Sequence, residues 1–332
     1  MQPDVRIINL ETAVTRSDDY VHKGINYRLS PENAGCLDAA KIDCCTLANN
    51  HALDWGRAGL LETLKTLQKL DIKVAGAGRN VEEARAPAVL NLSKARLLVF
   101  SFGSPSSGVP VDWAATSDAP GINLLPDLSE ASTVRVVDQI AALRKPGDLV
   151  VVSIHWGSNW GYHIRDQQQM FARTLIDKAD VSIVHGHSSR HPRPIEVYRD
   201  RLILYGCGDF LNDYEGIRGY ERYRDDLVLM YFADLDLSNG DLHALKLFPC
   251  GLRTSVCPFR NSGISNGSHR LSVGNVRGSG QGLRLIPRRG SWSPDQRKAA
   301  DRSGRERSAA KLARGPFSRS HERARSSFRA IG

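Results

Sequence analysis

Short apolar runs alternate with amphipathic stretches along residues 1–250. Val5–Asn9 (VRIIN), Asp43–Leu47, Lys73–Gly76, Ala88–Leu92 and Arg96–Phe102 are brief and bounded by polar or turn residues, which predicts strands. Leu149–His155 (LVVVSIH) and Val181–His185 are apolar at consecutive positions, the pattern of strands covered on both faces. Between these runs the spacing becomes helical. Ser30-Pro31-Glu32 opens a helix to about Ala40, with Ser30 as N-cap and Pro31 in the first turn. Arg57–Leu70 sets Leu60, Leu61, Leu64, Leu67 and Leu70 on one face. Ser129–Arg144, closed by Lys145-Pro146-Gly147, and Asp166–Asp177 are further helices, and a Pro- and Gly-rich loop runs from Gly103 to about Asp127. Pro194–Tyr198, Arg201–Tyr205, Leu227–Leu237 and Leu242–Phe248 predict late strands. Alternation first and strand pairs later predict an α/β fold, a layered sandwich with mixed sheets.

Charge divides the chain at about the same place as pattern does. Residues 251–332 carry 18 of the 45 Lys and Arg but only 4 of the 36 Asp and Glu, leaving residues 1–250 with a net charge of −5. The basic balance therefore belongs to the tail, and no specific nucleic-acid partner is expected for the folded part. Arg, Ser and Gly supply 41 of the 82 tail residues, without a sustained apolar period, so the tail is expected to be disordered. It reads as solvated chain, as a basic arm for RNA or another polyanion, or, the favoured reading, as an out-of-frame product of GC-rich DNA. The six cysteines form no CxxC pair and are expected as buried thiols. No apolar run reaches the ~18 residues of a membrane span, and Met1-Gln2-Pro3-Asp4 opens no signal peptide, so a soluble, cytoplasmic chain is the default expectation.

The candidate chemistry collects where the strands end. The clusters are Asn9-Leu10-Glu11, Ala48-Asn49-Asn50-His51, His155-Trp156-Gly157, and His185-Gly186-His187 with His191 shortly after. Singly, each has an ordinary explanation: a salt-bridged Glu11, an Asn49-Asn50 turn, a hydrogen-bonded core His155. Open α/β sheets bind ligands at the carboxyl ends of their strands. Glu, Asn and His delivered there by four strands predict a metal-centred site.

These residues also carry a family resemblance. Asn9-Leu10-Glu11, LANNHALDWGRAGLLETL from Leu47 to Leu64, Val74–Gly78, Ser153–Gly157 and VHGHSSRHPRPIEVYRDRLILYGCGDF from Val184 to Phe210 resemble CapA-type proteins. That group is the poly-γ-glutamate or capsule synthesis family of the calcineurin-like metallophosphatase superfamily. The resemblance implies a metallophosphatase-like α/β/β/α sandwich. It implies two divalent ions, Mn, Fe or Zn, with Glu11 as the bridging carboxylate, Asn50 and His155 as ligands, and His187 as the first His of the closing motif. His51 is implied as the catalytic residue that stabilises charge or donates a proton. His191 is a weaker ligand candidate. Asn49, Asp54, Trp156, Arg190 and Asp209 are candidates for orienting ligands or meeting substrate. Trp156, Trp160 and Tyr162 follow His155 on one loop and are read as lining a polymer groove or as packing residues, and Arg190, Arg193 and Arg199 are read as solvated or polymer-facing.

Two departures accompany the resemblance. The family's first strand carries a Gly-Asp that precedes the start of this chain, and Arg190 stands where the closing His is expected. The chain thus reads as lacking that first strand and as truncated at both ends relative to the family. Two functions follow: metal-dependent phosphoester or amide chemistry on an anionic polymer such as poly-γ-glutamate, or non-catalytic polymer binding beside membrane-bound capsule-synthesis proteins.

Overall fold

The computed structural model describes residues 2–212, 219–224 and 227–251, together with the backbone of Leu285 and Ile286. The first half comprises β1 (Ile7–Asn9), β2 (Ala13–Val14), β3 (Arg28–Leu29), α1 (Gly35–Ala39), β4 (Cys44–Thr46), α2 (Gly56–Lys69), β5 (Lys73–Ala75) and β6 (Ala77–Gly78). Next come α3 (Val81–Arg85), β7 (Ala88–Asn91), β8 (Arg96–Gly103), β9 (Gly121–Ile122), α4 (Glu130–Leu143), β10 (Leu149–His155) and α5 (Asp166–Ala179). The remainder is β11 (Ile183–His187), β12 (Ile195–Tyr198), β13 (Arg201–Leu204), β14 (Leu227–Leu235), β15 (Leu242–Gly251) and β16 (Leu285–Ile286).

Local chemistry explains most boundaries. Ser129 caps α4 by accepting the Ser132 N–H, and Asn80 does the same for α3 through Glu83. Ser30 departs from expectation: its side chain makes no capping bond, and the stretch breaks into a 3-10 turn (Pro31–Asn33) before α1. On α2, Leu60 and Leu67 are buried and Leu64 and Leu70 pack against the same cluster, but Leu61 stays exposed. β11 lies two residues later than predicted, because Asp180 closes α5 in the left-handed region and Ser182 first bonds to Val150.

Strands β1, β4 and β5 form a parallel three-stranded sheet with β4 in the centre. The larger sheet runs β16-β12-β13-β11-β10-β8-β7 and is mixed: β8, β10, β11 and β13 are parallel, β7 is antiparallel to β8, and β12 is antiparallel to β13 but parallel to β16. Side-chain alternation then assigns the layers. Phe100, Phe102, Val150, Val152, Ile154 and Val184 pack on Ile140 of α4 and Phe171 and Leu175 of α5. Cys45 and Leu47 pack on Leu37 of α1 and on Leu60 and Leu67 of α2. The intervening positions, Cys44, Ala75, Val99, Leu149 and Val151, meet each other between the two sheets. The order is helices, sheet, sheet, helices, the expected α/β/β/α sandwich.

Among the described residues, Cys44, Cys45 and Cys207 are buried free thiols, with Cys44 and Cys207 pushed up to about 12 by burial. No helix among them is long and apolar enough to cross a membrane. The expected disorder of 251–332 lies outside the described residues, apart from Gly251 in β15 and the two-residue β16 beside β12.

Candidate functional site

The same alternation that buries Leu149 and Val151 between the sheets puts Ser153 and His155 there, at the carboxyl end of β10. On β11, whose His185 and His187 pair with Ser153 and His155, the two imidazoles share that layer. The smaller sheet supplies the rest. Glu11 follows β1, and the turn after β4 carries Asn49, Asn50 and His51. Asn49, wholly buried, ties them together: its amide donates to Asn9 Oδ1 (3.0 Å) and Leu10 O (2.9 Å), and its oxygen accepts the His51 N–H (3.0 Å). Asn9 in turn donates to Glu11 Oε2 at 2.9 Å.

The result is convergence across both sheets. Glu11 Oε1 lies 3.9 Å from Nε2 of both His51 and His155, and His155 Nε2 is 3.0 Å from Asn50 Oδ1. Behind His155 the contacts form a chain. His155 and His187 share one proton between their Nδ1 atoms (2.7 Å), and Ser153 Oγ stands 2.9 Å from His187 Nε2 and 3.0 Å from His185 Nδ1. Ser153 also reaches Thr46 Oγ1 of the smaller sheet at 3.2 Å.

Burial governs the electrostatics. It lowers His155 to about 3 and His185 to about 4, and holds His187 well below the ordinary imidazole range, so all three are neutral at pH 7. Glu11 is pushed up to about 8, first by desolvation and then by Asp209, with Arg190 and Lys23 pulling the other way. Its side chain is still 29% exposed, which tempers the desolvation. His51 is lowered by burial although Asp54 opposes this.

Lys23 and Tyr27 belong to the site and carried no sequence signal, since both lie in a loop without period. Asp54, wholly buried, takes the His51 Nδ1–H (2.7 Å) and the Tyr27 N–H (2.6 Å) on Oδ2. Lys23 Nζ lies 2.5 Å from Asp54 Oδ1 as an ion pair, outside hydrogen-bonding angles, and donates to the Asn50 carbonyl. The Tyr27 ring stacks on His51 with centroids 4.1 Å apart. His51 is thus fixed with Nε2 free to face Glu11.

Several candidates sit elsewhere. His191 turns from the cluster: Nε2 accepts the Gly161 N–H (3.1 Å), Nδ1 donates to Pro192 O (3.1 Å), and the ring stacks on Tyr223 and Trp160. Trp156, next to His155, points to the opposite face by strand alternation and is core, stacked on Tyr205 with Nε1 bonded to its carbonyl. Arg190 lies near Asp209 (3.4 Å) and Tyr27 (3.4 Å), and its charge reaches Glu11 and His155. Arg199 is exposed and paired with Asp177, whereas Arg193, read as solvated, is only 2% exposed.

Donors on one Mn, Fe or Zn ion stand about 2.0–2.2 Å from it, and so up to ~4.3 Å from each other. The Glu11–His155 and His155–Asn50 separations of 3.9 and 3.0 Å meet that limit, and neutral imidazole with an amide oxygen is suitable donor chemistry. The fit is for one ion, and it depends on Asn50. Among the described residues, no group of three or more His, Cys, Asp and Glu side chains is placed to hold a metal. His187 spends its Nδ1 on His155, and the charges of Lys23 and Arg190 bear on Glu11, where a second ion would need a further carboxylate.

Residues 1–214 match the model of the family described as bacterial capsule synthesis protein PGA_cap. Probable polyglutamine synthesis accessory proteins of two Mycobacterium tuberculosis strains are 44% identical over 249 residues, 74% of this chain and 65% of theirs. The PGA biosynthesis protein CapA of Bacillus subtilis is 29% identical over 226 residues, 67% of this chain and 56% of its own. The chain thus spans less than two thirds of the length of these relatives.

Proposed function

This chain belongs to the bacterial capsule synthesis protein family, and from that premise we propose that it is an accessory of capsule or poly-γ-glutamate assembly. It receives an anionic group of the polymer, or a phosphoester, in the layer between the sheets, beside a divalent ion held by Glu11, Asn50 and His155, and promotes hydrolysis there. The supporting observation is that Glu11, Asn50, His51 and His155 come together from the ends of three strands in two sheets. A bound ion would act as a Lewis acid and lower the pKa of its water.

The chain's own groups do the rest. Asp54 fixes the tautomer and direction of His51, so that Nε2 is presented to the reacting group for proton transfer. Lys23 and Arg190 favour approach of negative charge. The buried His187–Ser153 pair holds His155 in orientation. The test is metal content together with p-nitrophenyl phosphate turnover in Mn²⁺. Absence of metal, and a rate no higher than that of Asn50→Ala, would refute the hydrolytic reading.

A second reading is non-catalytic binding of the polymer, alongside membrane-bound capsule-synthesis partners. The cationic pair beside the cluster and the provision for a single ion support it. Titration calorimetry with poly-γ-glutamate decides it, and a signal insensitive to salt, or none, counts against it.

A further inference from the structure

The turn between β11 and β12 is built around one side chain. Ser188 stands in it at φ +101°, a strained conformation for a residue with a Cβ, costing on the order of 1–3 kcal/mol. Polar contacts hold the turn in that shape. Ser188 Oγ donates to Gly157 O (3.2 Å), Ser189 Oγ to His191 O (2.9 Å), and the Arg190 N–H to Asn159 O (3.0 Å). Ser188, Ser189 and His191 are buried by this packing, while the Arg190 side chain reaches toward Tyr27. The chain that returns from β13 is shaped to the same end. Gly208 has φ +77°, and a Cβ there would fall 2.9 Å from Pro192 N, so glycine lets the chain pass against the turn. Asp209 follows directly, with its carboxylate 3.4 Å from Arg190 Nη1.

Arg190 Nη2 is 3.4 Å from the hydroxyl of Tyr27, whose ring stacks on His51. The guanidinium therefore lies beside the imidazole that faces Glu11, and its charge bears on Glu11, His51 and His155 together. The place is open to solvent: Arg190 and Asp209 keep 14% and 22% of their side chains exposed, and Glu11 keeps 29%. The contacts to Asp209 and Tyr27 are also longer than the about 2.7–2.9 Å of a strong charge-assisted bond, so an arriving oxyanion competes well for the same group.

We propose that Arg190 is the second cation of this site, a fixed charge that grips an oxyanion of the substrate in the role the resemblance gives to a second ion. Its planar fork matches two oxygens of a phosphate or of a carboxylate. Tyr27 acts as a positioning residue, setting the fork beside His51. The proposal rests on the anionic-substrate reading above and adds to it that the protein binds anions without metal. A purely structural Arg190–Asp209 pair is the competing account, and it provides for no anion.

Two substitutions of opposite sign separate these accounts. The full chain is titrated by calorimetry with inorganic phosphate and with glutarate, in EDTA at low salt, and the melting temperature of each variant is recorded. Wild type is expected to bind at least one of the two, more weakly as salt rises, and the tighter one distinguishes a phosphoester from a carboxylate source. Arg190→Gln is expected to bind about tenfold more weakly or worse. Asp209→Asn removes the carboxylate that competes for the guanidinium and is expected to bind about threefold more tightly. Tighter binding cannot come from a damaged fold, so Asp209→Asn serves as the second variant if Arg190→Gln unfolds. Equal binding by wild type and Arg190→Gln, weaker binding by Asp209→Asn, or no binding by wild type overturns the proposal. Turnover in Mn²⁺ by a wild type that binds neither anion in EDTA overturns the role of Arg190 and leaves the hydrolytic reading standing. Anion binding that is lost in Arg190→Gln, without turnover or polymer binding by wild type, supports that role and overturns the proposed function.

Discussion

Replacing Asp54 by Asn tests the arrangement that aims His51. Asp54 is wholly buried, and its carboxylate meets Lys23 at 2.5 Å, His51 Nδ1 at 2.7 Å and the Tyr27 N–H at 2.6 Å. An amide oxygen still accepts one bond, but the ion pair is lost and an NH₂ group confronts donors. Breaking a buried pair while leaving the partner charge in place costs roughly 3–5 kcal/mol. Lys23 keeps 23% of its side chain in solvent, so the lower end of that range applies. For a domain of this size ~1 kcal/mol corresponds to about 2–4 °C, and the expected fall in melting temperature is about 6–12 °C. Lys23→Met removes the stranded charge, so the double variant should lose less than the sum of the two single losses, by about 1 kcal/mol or more. Imidazole resonances followed by NMR give an independent readout: without the carboxylate, the His51 pKa, already lowered by burial, drops further. Thermal unfolding of the four proteins completes the cycle. A shift below about 2 °C for Asp54→Asn, or strict additivity in the double variant, would refute the coupling.

Acid should unfold the chain through its buried imidazoles. His155 and His185 titrate at about 3 and about 4 in the fold, against ~6.5 when unfolded, so their stabilisation is complete above the unfolded value and disappears as pH falls toward the folded ones. At pH 5 each contributes a loss of about 2 kcal/mol relative to neutral pH, measurable by urea unfolding at pH 7 and 5. Glu11 acts oppositely. Its neutral form is favoured in the fold, and the associated stability falls away as pH rises from the ordinary carboxylate value toward about 8. Glu11→Gln should therefore stabilise the chain at pH 8 by ~1–3 kcal/mol, steepen the acid loss, and abolish any Mn²⁺-induced thermal shift; a Gln variant less stable than wild type at pH 8 contradicts this. Gly76→Ala should cost at least about 3 kcal/mol in chemical denaturation, because φ is +85° and the added Cβ falls 2.6 Å from Ser101 Cβ and 2.7 Å from Ala48 Cβ. A variant of wild-type stability would show that this turn relaxes freely.

Much of the architecture was legible locally. The LVVVSIH run is β10 over the very residues expected, and helix spacing placed α2, α4 and α5 within a turn of their observed ends. The site was legible in part for a physical reason: parallel strands deliver the residues just past their carboxyl ends to one edge, so Glu11 and Asn50 of the smaller sheet share an edge, whereas His155 of the larger sheet joins them only through the packing of the two sheets. Strand frame was less secure. An apolar run tolerates a shift, and β11 began two residues later once α5 had closed on Asp180. Trp156 takes the packing role of its two readings because neighbours on a strand face opposite ways, so a place for His155 between the sheets sends the indole into the helix layer. His191 and Arg193 escaped because loop direction has no period to read.

By itself, then, the order of residues determined which segments become strands and helices, and which polar groups stand at strand ends. It also separated each strand into two faces. It did not say what would cover either face. That assignment came from Thr46 meeting Ser153 across 107 residues of sequence, and from Lys23 reaching back under the β4 turn to Asp54. Period and propensity act over a few residues, whereas the packing of one sheet on another is settled by the whole chain closing on itself. Only that closure turned scattered Glu, Asn, His and Arg residues into neutral imidazoles, a raised carboxyl and a buried guanidinium.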